Sequence, residues 1–281
     1  FEGDYESSAE QFFKWVRTTL TAFDGNGIQI SQAISTDLAF ESYGYFEDGV
    51  NYSFEHEGLL MSNNEMFIES GDEIKIPIQT DRTVTARFYD SDNGLLDSET
   101  FSLSDQSQDK VVYTSYTDNQ AVKATIQYTG DAGSETSTIK ITQLSECKFT
   151  PYKTTFINKF GAYQDIWFFK NSKLAMNTNE EKYKSSIVSN GTYNTYDPQK
   201  KLLTKNGNQT LTLNSGYYPE SNNEVFKQLF LSEKVWIEYN QQTLGVNIES
   251  KSLNYKTSLT DSLINYTIDV SFAFDTINNI R

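Results

Sequence analysis

Apolar and polar residues alternate with a period of two along most of the chain, which is the pattern of half-buried β-strands. In residues 12–35 two such runs flank Asp24-Gly25-Asn26-Gly27, and in residues 83–103 two more flank Asn93-Gly94. Gly and Asn readily supply the positive φ of a tight turn, so both segments are predicted to be β-hairpins. A helix over residues 7–20 is the weaker alternative, because its aromatic and β-branched residues run at period two.

Short alternating segments separated by polar turns predict further strands before residue 147. These segments are residues 71–80, 110–117, 121–130 and 137–144. Pro77 lies in the first of them and lacks a backbone N–H, so that strand is expected at the edge of a sheet. The part of the chain before residue 147 is therefore expected to be all-β, with one complete sandwich and the end of another.

The part of the chain after residue 147 also has the pattern of β-structure. Its predicted strands are residues 152–158, 165–170, 209–216, 234–239, 244–249, 251–257 and 263–274. The first two are joined by the turn residues Lys159-Phe160-Gly161-Ala162. The run Ile166-Trp167-Phe168-Phe169 does not alternate, which indicates either a strand buried on both faces or a strand whose outer face meets another subunit.

One amphipathic helix is predicted to interrupt these strands. Ser221-Asn222-Asn223-Glu224 is a capping-box sequence, which places Ser221 at N-cap and Glu224 at N3. The residues of one apolar helical face follow at once: Val225, Phe226, Leu229 and Phe230. We therefore expect a helix near residues 222–232 that packs this face into the core.

Charge is distributed unevenly along the chain, which adds domain boundaries to this picture. Residues 1–146 hold 26 acidic and 8 basic residues, a net charge of −18, and residues 147–281 hold 12 and 15, a net charge of +3. Such an asymmetry indicates a change of domain. The fold is expected to be mainly β, with two or three β-sandwich-like domains, short hairpins and one short helix in the C-terminal domain. The predicted divisions are 1–56, the end of an N-terminal β-domain; 57–147, an acidic β-sandwich; and 148–281, a β-rich assembly domain.

The side chains that most catalytic and metal sites need are scarce. The chain has one histidine, His56, and one cysteine, Cys147, so neither a Ser-His-Asp arrangement nor a zinc site is expected. Cys147 is expected to be a small buried apolar residue. Residues 90–94 (DSDNG) lack the spacing of an EF-hand calcium loop and are better explained as a hairpin turn. We therefore expect no enzymatic activity, no cofactor and no metal.

Composition also narrows the classes of partner that the chain is expected to bind. The acidic first half argues against nucleic acid, because phosphates need a basic surface. No run approaches the ~18 consecutive apolar residues of a membrane helix, so membrane insertion is not expected. The chain is rich in Tyr and Phe, which are common anchors of protein interfaces and also stack on sugars. A structural or binding role is therefore expected.

Four blocks of the sequence resemble a group of tail-associated structural proteins of tailed bacteriophages that infect marine and gut Bacteroidota. The blocks are residues 43–52 (YGYFEDGVNY), 150–170 (TPYKTTFINKFGAYQDIWFFK), 223–237 (NEVFKQLFLSEKVWI) and 255–281. The resemblance is densest after residue 147. It implies a building block of a tail tip, baseplate or tail ring, made in the host cytoplasm and carried in the virion. The implied partners are copies of itself, with sixfold order expected from the family, and other phage tail proteins.

A receptor-binding or carbohydrate-binding tail protein that contacts a host surface glycan is the alternative role. Exposed aromatic residues grouped in a groove would favour it, whereas aromatic residues buried between identical chains would favour self-assembly. The candidate interface residues lie in the aromatic, lysine-bearing segment that opens the second half: Trp167, Phe168, Phe169, Lys159 and Phe160. Plain core positions are the alternative for these rings.

Overall fold

The computed structural model describes residues 13–49, 58–80, 83–102, 110–129, 136–188, 190–250 and 263–277. Over these residues the chain is mainly β, as the sequence predicts, and its strands form two large sheets and four small ones. One α-helix, α1 (Asn223–Leu231), packs among the described strands.

The predicted N-terminal hairpin is confirmed and forms a sheet of its own. It consists of the antiparallel strands β1 (Phe13–Phe23) and β2 (Gln29–Phe40). Oδ1 of Asp24 accepts hydrogen bonds from the backbone N–H groups of Asn26 and Ile28, each at 2.8 Å. The side chain of Asp24 therefore closes the turn that the sequence indicates.

The middle part of the chain forms a five-stranded sheet, a three-stranded sheet and a strand pair. Its strands are β3 (Gly58–Leu59), β4 (Glu65–Glu69), β5 (Glu73–Ile74), β6 (Pro77–Thr80), β7 (Val84–Tyr89), β8 (Leu95–Phe101), β9 (Lys110–Tyr113), β10 (Tyr116–Thr117), β11 (Lys123–Tyr128) and β12 (Thr136–Leu144). The orders are β4-β12-β11-β7-β8, β3-β6-β9 and β10-β5. The predicted hairpin at Asn93-Gly94 is confirmed between β7 and β8, and Asn93 has a φ of 61°.

Pro77 does not lie at a sheet edge, so that prediction is wrong. It is the first residue of β6, which pairs with β3 on one side and β9 on the other. The first position of a strand tolerates proline, because the ladder does not need a backbone N–H donor there. Its carbonyl still accepts the backbone N–H of Leu60 at 3.0 Å.

The part after residue 150 forms a seven-stranded antiparallel sheet and a strand pair. Its strands are β13 (Tyr152–Ile157), β14 (Tyr163–Phe168), β15 (Lys173–Lys184), β16 (Lys200–Asn214), β17 (Tyr218–Pro219), β18 (Val235–Tyr239), β19 (Gln242–Ile248), β20 (Leu263–Ile264) and β21 (Thr267–Phe272). The large sheet has the order β14-β13-β18-β19-β21-β16-β15, and β17 pairs with β20. The sequence pattern does not predict β15 or the first half of β16, and the strand predicted at residues 251–257 lies outside the described residues.

The turn between β13 and β14 is built around the buried side chain of Asn158. Its Oδ1 accepts the backbone N–H groups of Phe160 at 3.0 Å and Ala162 at 3.1 Å. Its Nδ2 donates to the backbone oxygen of Leu60 at 2.7 Å, which ties the turn to the middle part of the chain. The predicted pair of strands around residues 159–162 is therefore confirmed.

The helix is where the sequence predicts it, but the capping box is wrong. Residues 220–222 form a turn of 3-10 helix ahead of α1, so Ser221 is already helical instead of capping. The hydroxyl of Ser221 lies 3.2 Å from Oε2 of Glu65 and donates to it. Oε1 of Glu224 accepts the side-chain amide of Gln228 at 2.7 Å. Val225, Phe226 and Leu229 are buried as expected.

A single buried cluster runs through both large sheets and α1. It includes Ile68 and Phe88 from the middle part and Phe168, Phe226 and Val270 from the later part. Sheet membership changes between residues 144 and 152, near the predicted boundary at residue 147. The apolar residues on the two sides of residue 147 share this cluster. Separate folding of the two parts stays a prediction.

The burial of Phe226 generates a stability prediction. Phe226 is fully buried and its ring contacts those of Phe168, Tyr218 and Tyr266, so Phe226→Ala should lower the free energy of unfolding by about 3–5 kcal/mol. Phe46→Ala is the matched control, because Phe46 is 96% exposed and its loss should change stability by less than about 0.5 kcal/mol. Urea unfolding followed by tryptophan fluorescence measures both variants. Equal midpoints for the two variants would contradict this core.

Candidate assembly surface

The N-terminal arm, residues 13–40, exposes apolar side chains on both of its faces. Leu20 of β1 is 71% exposed, and Ile30 and Ile34 of β2 are 68% and 50% exposed. Ile34 lies opposite Thr19 in the register, so it shares the face of Thr19, and Leu20 belongs to the other face. A two-stranded hairpin is marginal by itself in water. The arm therefore carries the apolar residues of a packed sheet, and within the part of the chain that the structure describes no second layer lies over them.

The root of this arm is fixed to α1 by the linker that follows it, residues 41–49. The hydroxyl of Tyr45 donates to Oε1 of Glu224 at 2.9 Å. Nζ of Lys227 lies 3.5 Å from the centroid of the Tyr45 ring and 3.0 Å from Oε1 of Glu47. The arm thus leaves the body of the protein from a defined position.

The β13–β14 turn supports the same root. The backbone N–H of Tyr43 donates to the backbone oxygen of Lys159 at 3.0 Å. Gly161 has a φ of 79°, and a Cβ atom at this position would lie 3.0 Å from the backbone oxygen of Glu41. Glycine is therefore needed here for its backbone conformation and for the close approach of the linker.

A cleft of about 600 Å³ lies between the linker and the end of α1. Its lining includes Phe46 and Leu231, which are mostly exposed. Nζ of Lys234 and Oε2 of Glu41 form an ion pair of 3.2 Å at the cleft. Tyr43 also lines it; burial, and then the negative charge of Glu224, raise the pKa of Tyr43 to about 12. The cleft offers aromatic and aliphatic surface with charge beside it.

The second arm, residues 173–207, is formed by β15 and the first half of β16. All twelve residues of β15 are exposed. Met176 is 57% exposed, Leu202 50% and Leu203 59%. The loop between the two strands carries Tyr193 and Tyr196, which are 62% and 84% exposed. Like the N-terminal arm, it lacks a covering layer among the described residues.

Asn206 fixes the root of the second arm to the segment that follows β21. Its Nδ2 donates to Oδ2 of Asp275 at 3.0 Å, and its Oδ1 accepts the backbone N–H of Ile277 at 3.0 Å. The backbone N–H of Thr276 donates to the oxygen of Gly207 at 2.7 Å. The arm is therefore a continuation of the seven-stranded sheet.

Charge distinguishes the two arms. The second arm holds six basic and three acidic residues, a net charge of +3, whereas the N-terminal arm holds two of each. Within the second arm Glu180 pairs with Lys182 and Lys205, and its hydrogen bond with Lys182 is the main cause that lowers its pKa. The positive charge of the second half of the chain thus projects into solvent on this arm.

The ring residues predicted as interface anchors lie in the core of the chain. Trp167 is 7% exposed, Phe168 0%, Phe169 3% and Phe160 6%. β14 is covered on both faces, which is one of the two explanations that the sequence left open. Contact of these rings with a partner stays a prediction, and it would require the core to open.

Lys159, the fifth predicted interface residue, contacts its own chain. Its Nζ lies 3.8 Å from Oε1 of Glu224 and 5.2 Å from the centroid of the Tyr45 ring. Its backbone N–H donates to Oε1 of Gln228 at 3.0 Å. Lys159 therefore helps to fix the linker and α1, at the root of the N-terminal arm.

Among the ion pairs of the described residues, the most buried lysine is Lys153 on β13. Its Nζ lies 2.7 Å from Oε1 of Glu238 and 3.3 Å from Oδ2 of Asp72, and its side chain is 10% exposed. Burial lowers the pKa of Lys153, but Asp165, Glu238 and Asp72 raise it more, so it stays above its usual value. Burial raises the pKa of Asp72. This cluster links the β4–β5 turn to the seven-stranded sheet.

Three other features singled out in the sequence are the turn at residues 90–94, Cys147 and His56. Asp90 closes the β7–β8 turn by accepting the backbone N–H groups of Asp92 and Gly94 at 2.9 and 2.7 Å. Cys147 is exposed, so its prediction as a buried residue is wrong; it lies in the polar connection between the two large sheets. His56 lies outside the described residues. No group of three or more potential ligands among His, Cys, Asp and Glu is placed for a metal ion within the described ranges.

Comparison with known proteins assigns no relative to this chain. No protein-family model, no curated protein and no solved structure matches it. Of the helices in the described part of the chain, none has the length and hydropathy needed to cross a membrane.

The buried hydroxyls and the Lys153 cluster generate a pH prediction. Burial raises the pKa of Tyr43 and of Tyr116 to about 12, and it raises the pKa of Tyr163 and of Tyr218 as well. Unfolded tyrosine and lysine have pKa values of 10.0 and 10.5. Above those values the folded chain binds more protons than the unfolded chain, so the free energy of unfolding falls as pH rises.

The urea midpoint at about pH 11 should therefore be lower than at about pH 9. The share of the tyrosinate absorbance in the ultraviolet that belongs to the buried tyrosines should appear with unfolding instead of before it. An unchanged midpoint, or full tyrosinate absorbance from the folded chain, would contradict the burial of these groups.

Proposed function

We propose that the chain is a non-enzymatic structural subunit that assembles with copies of itself through its two arms, in a bacteriophage tail ring, tail tip or baseplate. The observation that carries the proposal is the exposure of apolar residues on both arms, with Leu20, Ile30 and Met176 each more than half exposed. Large contiguous apolar patches are rare on monomeric proteins and commonly mark the site of a partner.

The rooting of the arms also supports assembly. Tyr45 and Asn206 hold the two roots by side-chain hydrogen bonds to the body. An arm with a fixed root reaches a neighbour in one orientation, and this lowers the ordering cost of binding. A flexible tail of the same composition would have to lose that freedom on binding.

Charge supports contact between different surfaces of identical copies. The second arm carries +3, and residues 1–146 carry −18. A positive arm is attracted to the acidic part of a neighbouring copy, which favours a head-to-tail arrangement. Head-to-tail contacts close into a ring where the rotation between copies permits it. The phage tail, its virion location and sixfold order rest on the sequence resemblance.

Substitutions on the N-terminal arm test self-assembly. Leu20→Lys with Ile34→Lys places a charge on each face of the arm, and it should weaken self-association at least roughly tenfold. Leu95→Lys is the matched control, because Leu95 is 57% exposed on the edge strand β8, outside the arms. Analytical ultracentrifugation of the full chain gives the masses, and cryo-microscopy gives the symmetry.

We expect closed oligomers from the unsubstituted chain and from Leu95→Lys, and a shift towards monomer from the arm variant. Circular dichroism should be the same for all three chains, because the substituted residues are exposed. A monomer at all concentrations and in the particle, or equal loss in the control, would count against the proposal.

The second candidate function is binding of a host-surface glycan by the tip of the second arm. The specific observation that favours it is the exposure of Tyr193 and Tyr196 in the tip loop. Aromatic faces stack on sugar rings through their apolar surface. Tyr193→Ala with Tyr196→Ala should abolish binding of the chain to host cells without changing its oligomeric mass. Undiminished binding by this variant would remove the second candidate.

A further inference from the structure

The free strand edges of the described sheets differ in how they are protected. Proteins commonly guard an exposed edge with charges, proline or a bulge, because an open edge pairs with other chains. β8 carries Asp97 and Glu99 along its edge of the five-stranded sheet. The opposite edge, β4, is covered because it contacts β14, the first strand of the seven-stranded sheet. These edges are therefore guarded or closed.

The edges on the two arms each contain a stretch without charge. β2 has twelve residues with one charge, Asp37, and no proline or lysine. β15 also has twelve residues. Five of them are charged, but all five lie outside Leu174–Asn179, a stretch that has no proline either. Each edge is long enough to span about 40 Å. Among the described residues no strand pairs with the outer side of β2 or β15, so these two edges are suited to pair with each other between copies.

We propose that β2 of one copy adds antiparallel to the outer edge of β15 in the neighbouring copy, forming a four-stranded sheet from the two arms. This inference rests on the proposed function and names the contact that would carry it. Antiparallel pairing places the roots of the two arms at the same end of the joined sheet, since β2 runs towards its root and β15 runs away from its own.

Pairing of this kind would add strands to both arms. A two-stranded hairpin is marginal in water, whereas three or more strands with an apolar face can be stable. In the register that puts Ile34 opposite Leu174, Met176 lies diagonal to Ile34, and such cross-strand apolar contacts stabilise a sheet. Backbone hydrogen bonds along the edge add to this.

A second copy is the favoured occupant because the positive second arm of one copy is attracted to the acidic first part of another. The receiving arm carries +3, and the donating arm is neutral but belongs to the part of the chain with −18. Attraction would bring the second arm to a neighbour's first half before the edges meet. Sheet pairing would then fix the register.

Disulfide trapping between copies tests the pairing. Cys147→Ser first removes the exposed native thiol. One set of full-length copies then carries Gln32→Cys on β2, and a second set carries Met176→Cys, Thr178→Cys or Glu180→Cys on β15. The sets are mixed under dissociating conditions, reassembled and oxidised. Copies with Ser98→Cys, an exposed position on β8, are the matched control for the second set.

We expect a heterodimer of twice the chain mass on a non-reducing gel for at least one β15 position, and none with the β8 control. Assembly without any β15 heterodimer would overturn the strand pairing and leave the proposed function intact. Disulfide dimers among the Gln32→Cys copies alone would mean that β2 meets β2, which also overturns it. Failure of the full chain to assemble would remove the proposed function and this inference together.

Discussion

The burial of β14 on both faces is the constraint that holds the rest of the molecule together. Phe168 packs edge-on against Phe226 of α1, and the hydroxyl of Tyr218 donates to the backbone oxygen of Trp167 at 2.6 Å. The strand also lies beside β4, so the five-stranded and seven-stranded sheets share one core. The aromatic segment that marks a change of charge along the sequence is therefore the joint between the two sheets.

The same hairpin determines where the N-terminal arm begins. Gly161 and Lys159 in the β13–β14 turn touch the linker at Glu41 and Tyr43. By their packing, the described residues thus fall into a body and two arms. A body with one continuous core carries two arms whose apolar residues have no covering layer among the described residues, and the roots of both arms depend on that body.

Elements with a local signal were predictable, and features set by distant contacts were not. Asn93-Gly94 and Asp24-Gly25-Asn26-Gly27 specify their turns within a few residues, and the helical spacing of Phe226 and Leu229 locates α1. β15 was not predicted, because all of its residues are exposed and no buried face imposes a period of two on its sequence. Ser221 matched a capping box, yet its hydroxyl donates to Glu65, which is 156 residues away in sequence.

The candidate site shows the same limit more sharply. Aromatic content correctly drew attention to residues 160–169, but composition does not distinguish a core ring from an interface ring. That distinction depends on whether α1, β4 and β17 cover the strand, and these elements come from two separate parts of the chain, neither of which adjoins the strand in sequence. The exposed apolar residues of the arms, such as Leu20 and Ile34, carry an alternating pattern that looks the same as that of a half-buried strand.

The length of β16 has a mechanical consequence. Its fifteen residues run without interruption from the second arm into the body, where residues 210–214 pair with β21. Tension applied along the arm is therefore directed along the strand, and the hydrogen bonds with β21 are strained in shear, all at once, instead of being peeled apart one by one. A subunit joined to its neighbours through this arm would transmit a pulling force into the middle of its largest sheet.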